Sequence, residues 1–279
     1  MKIIQKLKTT RRALFGRSLL LIAGLTIGMT AVTSAHADAF EDILAQKKIV
    51  VGVINDFPPF GFLDAQQNPQ GYDIDVARAI ADDLGVELEL VTVSTPNRIP
   101  YLTSKRIDTL VASLGITPER AEQVLFTNPY AATQVTILAP SAVTIASVDD
   151  LVGKRVAVAR GSSTDIFFTQ VAPEGATVMR FESEVTASQA MLAGQVDAIV
   201  LTNTMVPSVV QSEPDLKLEI KLALRQQENA IAVRRGETAL SERINAVLDG
   251  MKSSGALAEN YRKWTGADLP EFKGSAAAK

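Results

Sequence analysis

The chain has 279 residues, with 28 Lys/Arg against 31 Asp/Glu, one histidine and no cysteine. Without cysteine there is no disulfide, no thiol nucleophile and no lipid-attachment cysteine. The sole histidine, His36, lies in a segment that reads as a removable leader, so the rest of the chain cannot assemble a Ser-His-Asp triad, a Cys-His pair or the common zinc sites; no metal and no cofactor is expected.

Six basic residues between Lys2 and Arg17 precede the apolar stretch Leu19–Val32, and Ala35-His36-Ala37 places small residues around a cleavage point. This is the layout of a cleaved signal peptide over residues 1–37, because the apolar span falls short of the ~20 residues that cross a bilayer. Thr10–Phe15 (TRRALF) also fits a twin-arginine export pattern. Cleavage removes six of the 28 basic residues and none of the acidic ones, leaving a net charge of −9. An acidic body speaks against a nucleic-acid partner.

Beyond the leader, short β-branched runs alternate with helical stretches, the pattern of parallel strands joined by crossover helices and hence of an α/β fold. Lys48–Ile54 reads as the first strand, Tyr72–Leu84 as a helix closed by Gly85, and Glu87–Val93 and Asp108–Leu114 as the next strands. Asp73 and Asp75 read as acids of the helix cap and first turn, where the dipole favours them. The series restarts after Pro129-Tyr130. Strands are predicted at Gln134–Ala139, Arg155–Ala159, Thr177–Phe181 and Asp197–Leu201, and helices at Val148–Leu151, after Gly161–Thr164 and at Thr186–Ala193. Asn229–Arg234 reads as the last strand, before an amphipathic helix at Leu240–Ser253 and a shorter one ending near Trp264. Two βα series of similar size predict two lobes.

TPNR at Thr95–Arg98 and TPER at Thr117–Arg120 are near-copies, each just after a buried strand. Each reads as a helix start, with Thr at the N-cap and Pro at the first helical position. In open α/β sheets ligands bind beyond the carboxyl ends of the strands, and helix N-termini attract anions. An arginine there opposes its own helix dipole unless an anion meets both. On the motif alone two readings stand: a bidentate grip on a carboxylate by Arg120, joined by Arg98, or exposed arginines paired with neighbours such as Glu119 or Glu122.

Longer phrases decide between them. VVGVINDFPPFGF, GYDIDVARAIADDLG, NRIPYLTSKRIDTLVASLGITPERAEQVLFTNPYA, DLVGKRVAVARGSS, MLAGQVDAIV and YRKWTG occur in this order between about Lys47 and Gly266. The chain resembles the extracellular solute-binding proteins of family three, the periplasmic amino-acid receptors of ABC importers. The resemblance implies a type II periplasmic-binding-protein fold, with two lobes of parallel or mixed sheets, flanking helices and a two-segment hinge near Ala132–Thr136 and Asn229–Ala232. Lobe boundaries follow as 38–133 with 229–270 for the first lobe and 134–228 for the second, with 271–279 a flexible tail. It implies a monomer in the periplasm that closes on a small carboxylate or amino-acid ligand, delivers it to an inner-membrane permease and performs no catalysis.

Carried over residue by residue, the resemblance puts the ligand's carboxylate on Arg120 and strand-end contacts on Ser113 and Gly115. It puts an aromatic wall on Phe57 and N–H donors on the Ser162/Ser163 turn. Acidic-amino-acid receptors also use the arginine of the NRIP phrase, here Arg98, with Thr95 beside it. The family's ammonium-binding aspartate falls on Thr202, which cannot neutralise a cation, and Ile54 replaces a polar contact. Either Asp56, Asp165, Glu182 or Glu184 takes over, or the ligand is a carboxylate poor in amines. Two alternatives share the scaffold: an enzyme resembling cyclohexadienyl dehydratase, which needs a pocket acid that Leu201–Val206 lacks, and a receptor feeding a sensor protein.

Overall fold

The computed structural model describes residues 39–273; the leader, its twin-arginine pattern and residues 274–279 lie outside them. After helix α1 (Ala39–Gln46) come strand β1 (Lys48–Val53), three short strands β2 (Asp56–Phe57), β3 (Gly61–Leu63) and β4 (Pro69–Gln70), and helix α2 (Tyr72–Leu84). Strand β5 (Glu87–Thr92), helix α3 (Arg98–Thr103), strand β6 (Thr109–Leu110), helix α4 (Pro118–Ala121) and strand β7 (Val124–Pro140) follow. The second series holds β8 (Arg155–Ala159), α5 (Ser163–Val171), β9 (Thr177–Phe181), α6 (Glu184–Leu192), β10 (Ala198–Thr202) and α7 (Val206–Ser212). Strand β11 (Leu218–Arg234) and helices α8 (Thr238–Ser253) and α9 (Ala256–Thr265) complete it.

The predicted pair of sheets is joined into one, ordered β5-β1-β6-β11-β7-β10-β8-β9, beside a small β2-β3-β4 sheet. Parallel strands β5, β1 and β6 form one side, and parallel β10, β8 and β9 the other. Between them β7 and β11, 17 residues each, run antiparallel through both halves. Their pairing slips at several points, including Ala223/Arg225 and Asn229/Ala230. Such irregularities bend and twist a strand, which lets one ladder serve two differently oriented halves.

The core of the β1 side gathers four aromatic rings: Phe60 and Tyr261 lie edge-on to Tyr72, which stacks on Tyr130 at 5.7 Å. All four are buried, so this cluster carries much of that side's apolar burial. Helix α2 ends as expected, with Gly85 in the left-handed conformation receiving the last turn.

Two local expectations change. Thr117 caps α4 by accepting from the Arg120 N–H, but Thr95 opens a 3-10 turn without capping it, and its hydroxyl donates to Glu184 Oε2 at 3.3 Å. Asp73 is not a solvated helix-start acid: Gly71 occupies the cap, and Asp73 is 1% exposed. Its Oδ1 accepts from the Tyr130 hydroxyl at 2.7 Å and its Oδ2 from Ser113 Oγ at 2.9 Å. Where the tail is expected to begin, the Glu271 carbonyl accepts from Gln226 and the Lys273 N–H donates to Glu228.

Candidate functional site

The carboxyl ends of the parallel strands on both sides converge on one cavity. From the β1 side it receives Ile54 and Phe57, which follow β1, Arg98 at the start of α3, and Ser113 beyond β6. The β8 side supplies Ser162–Thr164 at the start of α5, Glu184 as the first residue of α6, and Leu201 and Thr202 at the end of β10. Thr133 of β7 and Asn229 of β11 close it where the two long strands cross. The enclosed space is about 20 Å³, room for a water-sized occupant. A larger solute does not fit this volume as it stands.

Six of the nine sequence-predicted residues line this cavity: Phe57, Arg98, Ser113, Ser162, Ser163 and Thr202. Thr95 and Arg120 do not; with Arg98 they border an adjoining hollow of about 140 Å³ that also touches Gly161. Gly115 borders neither cavity, and its backbone bridges to Asn229. Thr133, Thr164 and Asn229 were not anticipated. Of the four acids named as substitutes for an aspartate at position 202, Glu184 alone lines the cavity. Asp165 is engaged by Arg180 and the Gly161 N–H, Asp56 borders a separate hollow, and Glu182 is exposed.

Both arginines are buried. Arg98 donates from Nε to the Thr95 carbonyl and from Nη1 to the Ala112 carbonyl, and Nη2 makes no hydrogen bond among the described residues. Arg120 donates from Nη1 to the Gly115 carbonyl at 2.7 Å and from Nη2 to the Gly161 carbonyl at 2.8 Å, linking the two sides. Burial lowers the pKa of each, and the charge of Arg98 helps bring Arg120 down to about 9. Glu184 moves the other way: burial raises it, and the nearby Arg98 charge partly opposes the rise. Thus two cations repel each other across a water-poor site that holds one buried carboxylate.

The smaller contacts are equally defined. Ser113 has a left-handed backbone, φ 45°, uncommon for a residue with a side chain. It is held there by its N–H donating to the Tyr130 hydroxyl and its Oγ donating to Asp73. The Ser162 N–H donates to the Ala159 carbonyl and its hydroxyl caps α5 by accepting from the Asp165 N–H; among the described residues the first-turn N–H groups of Ser163 and Thr164 make no hydrogen bond. The hydroxyl of Thr133 is buried and makes no hydrogen bond among the described residues. An occupant with polar atoms is what such a group requires.

Gly115 permits the two sides to approach. A Cβ there would lie 2.7 Å from Ser163 Cβ and 2.9 Å from Gln227 Cδ. Because Ser163 Cβ is not a movable side-chain tip, Gly115→Ala is expected to cost the closed arrangement roughly 1–3 kcal/mol. In titration calorimetry this appears as ~5- to 150-fold weaker ligand binding, with the melting temperature of the unliganded protein little changed.

Comparison with known proteins agrees with this architecture. The family model for bacterial extracellular solute-binding proteins, family 3, matches residues 49–267. The ABC transporter glutamine-binding protein GlnH of Bacillus subtilis (strain 168) is 34% identical over 86% of this chain and 89% of its own length. The L-cystine-binding protein TcyJ of Escherichia coli (strain K12) is 28% identical, with 93% and 97% covered. A crystal structure of a mutant of the T. maritima arginine-binding protein ArgBP superposes with a TM-score of 0.76 at 35% identity, covering 82% of this chain and all of that one. Among the described residues no helix is long and apolar enough to cross a membrane. With a family model spanning most of its length and a type II periplasmic-binding-protein fold around a cleft between two halves, the chain belongs to the extracellular solute-binding proteins of family 3, the substrate-binding components of amino-acid ABC transporters.

Proposed function

We propose that this protein captures a small carboxylate solute in the periplasm, an acidic or polar amino acid or an amine-poor relative, and presents it to an inner-membrane ABC permease. The observation that carries the reading is the pair of buried arginines, Arg98 and Arg120, whose charges repel each other beside the interlobe cavity. A bound carboxylate offsets that repulsion and accepts the donors that the arginines and the α5 turn present. Residues 38–133 with 229–270 form the first lobe and 134–228 the second, with β7 and β11 the connecting segments. The protein acts as a monomer, exported through its cleaved leader.

Binding and closure are one event. The carboxylate touches arginines from one lobe and the Ser162–Thr164 turn from the other, so it favours the closed form only by the difference between those contacts and what the open form offers. Nothing in this mechanism makes or breaks a covalent bond. The relatives reported above are transport binding proteins; a dehydratase reading has in its favour that Glu184 places a carboxyl in the cavity and that a solved ancestral amino-acid-binding protein, described as a precursor of cyclohexadienyl dehydratase, is 30% identical with a TM-score of 0.74.

A thermal-shift screen tests the reading on mature protein freed of carried-over ligand by unfolding and refolding. The panel holds the twenty amino acids, cystine, dicarboxylates and keto acids. A true ligand at 100 times its Kd adds about 2.7 kcal/mol of stability. Small carboxylates are expected to raise the melting temperature while matched amides or esters of the same acids leave it unchanged. A panel in which no carboxylate moves the melt sinks the proposal.

A further inference from the structure

Resting on the carboxylate-receptor reading, we infer that Glu184 holds the α-ammonium of the ligand, so that the solute is a zwitterionic amino acid and not an amine-free acid. Thr202, at the end of β10, brings no charge to the cavity, and its hydroxyl is shared with Thr204 at 3.1 Å. Glu184 reaches the same cavity from the start of α6. It is 8% exposed, and among the described residues its carboxyl accepts from its own backbone N–H and from the Thr95 hydroxyl, at 3.3 Å. A carboxylate accepts up to about four hydrogen bonds, so even with the Arg98 charge nearby this buried one keeps acceptor sites open to a ligand's donors.

The geometry complements a zwitterion. Glu184 comes from the β8 side and Arg98 from the β1 side, and both line the one cavity. Arg98 has its Nη2 group unused and Glu184 has acceptor capacity unused. Thr133 adds a buried hydroxyl without a partner among the described residues. An amine-free dicarboxylate would set a second anion against Glu184, at the repulsive cost of like charges in a site shielded from water. An amino acid instead gives Arg98 an anion and Glu184 a cation. Closure then depends on both charges of the ligand, the β8 side contributing Glu184 for the ammonium as well as the turn that meets the carboxylate.

The test is a set of matched pairs measured by titration calorimetry: L-glutamate with glutarate, L-glutamine with glutaramate, L-arginine with 5-guanidinopentanoate, and L-cystine with 3,3′-dithiodipropionate. Each is titrated into the wild type, Glu184→Gln and Glu184→Asp, with melting curves confirming that each variant is folded. The wild type is expected to prefer the amino member of its best pair by ~100-fold or more. Glu184→Gln should cut that preference at least tenfold by weakening the amino member while leaving or strengthening the amine-free one. Glu184→Asp should retain part of it.

Wild-type preference for the amine-free member overturns the inference while leaving the carboxylate receptor intact. So does a preference unchanged in a folded Glu184→Gln. Should no member of any pair bind, the receptor reading fails together with the inference.

Discussion

Arg120→Ala is expected to abolish tight ligand binding, weakening it by about 2–5 kcal/mol, or roughly 30- to 5,000-fold. Two losses combine. The carboxylate loses the attraction of a buried cation bordering the adjoining hollow, and the closed form loses the hydrogen bond from Arg120 Nη2 to the Gly161 carbonyl across the cleft. The unliganded protein should hardly notice, because removing Arg120 also removes a like charge that opposes Arg98. Affinity by calorimetry and melting temperature without ligand therefore separate: the first collapses and the second moves little. Arg120→Lys should recover only part of the affinity, since an ammonium keeps the charge but not the fork. Binding within a factor of two of wild type would move the carboxylate to Arg98, the arginine that borders the cavity itself.

The alternation of strands and helices was legible because each segment carries its own period and punctuation. Lys48–Val53, Arg155–Ala159 and Thr177–Phe181 are strands within a residue of where their β-branched runs place them. The two long strands were read only in part. The polar and proline-containing residues from Val124 to Thr133 obscure the first half of β7. In β11 the run Leu218–Leu222 alternates apolar and polar residues, the period of a strand, before Ala223 breaks it. The short β2-β3-β4 sheet has too few residues per strand for any period to show.

The rule that ligand residues gather at strand carboxyl ends pointed to the two TPxR arginines, of which Arg98 lines the cavity and Arg120 borders the adjoining hollow, whereas Ser113 and the Ser162/Ser163 turn came only from the family resemblance. Which of four nearby acids would face the cleft depends on how α6 packs across it, a tertiary fact with no local trace, so Glu184 could only be named as one of several. The packing of α2 misled the reading of Asp73 in the same way. An aspartate in a first helical turn has one sequence signature whether water or a tyrosine covers it. Only the fold brings Tyr130 and Ser113 onto its carboxyl group.

That burial has a measurable consequence. Asp73 is raised from an ordinary 3.8 to about 7 by loss of hydration, against the opposing pull of its hydrogen bonds from Tyr130 and Ser113 and of the Arg98 charge. A carboxyl whose folded pKa exceeds its unfolded one binds more protons when folded, so stability falls as pH rises between the two values. The contribution is whole below about pH 4, declines through the range up to about 7 and is flat beyond, a total of roughly 4 kcal/mol for the shift. Asp73→Asn keeps a hydrogen-bonding amide in place and removes the titration. Urea unfolding of both proteins at several pH values should show the wild type losing ground to the variant between pH 5 and 7.5, with the difference constant above that. Acids of the opposite kind, such as Asp197 held below its usual range by Arg155, act at lower pH and cancel in the comparison. A wild-type-minus-variant difference that stays level from pH 5 to 8 would mean that Asp73 does not titrate there. The Tyr130–Asp73–Ser113 chain would then hold the left-handed Ser113 beside the cavity in one protonation state throughout.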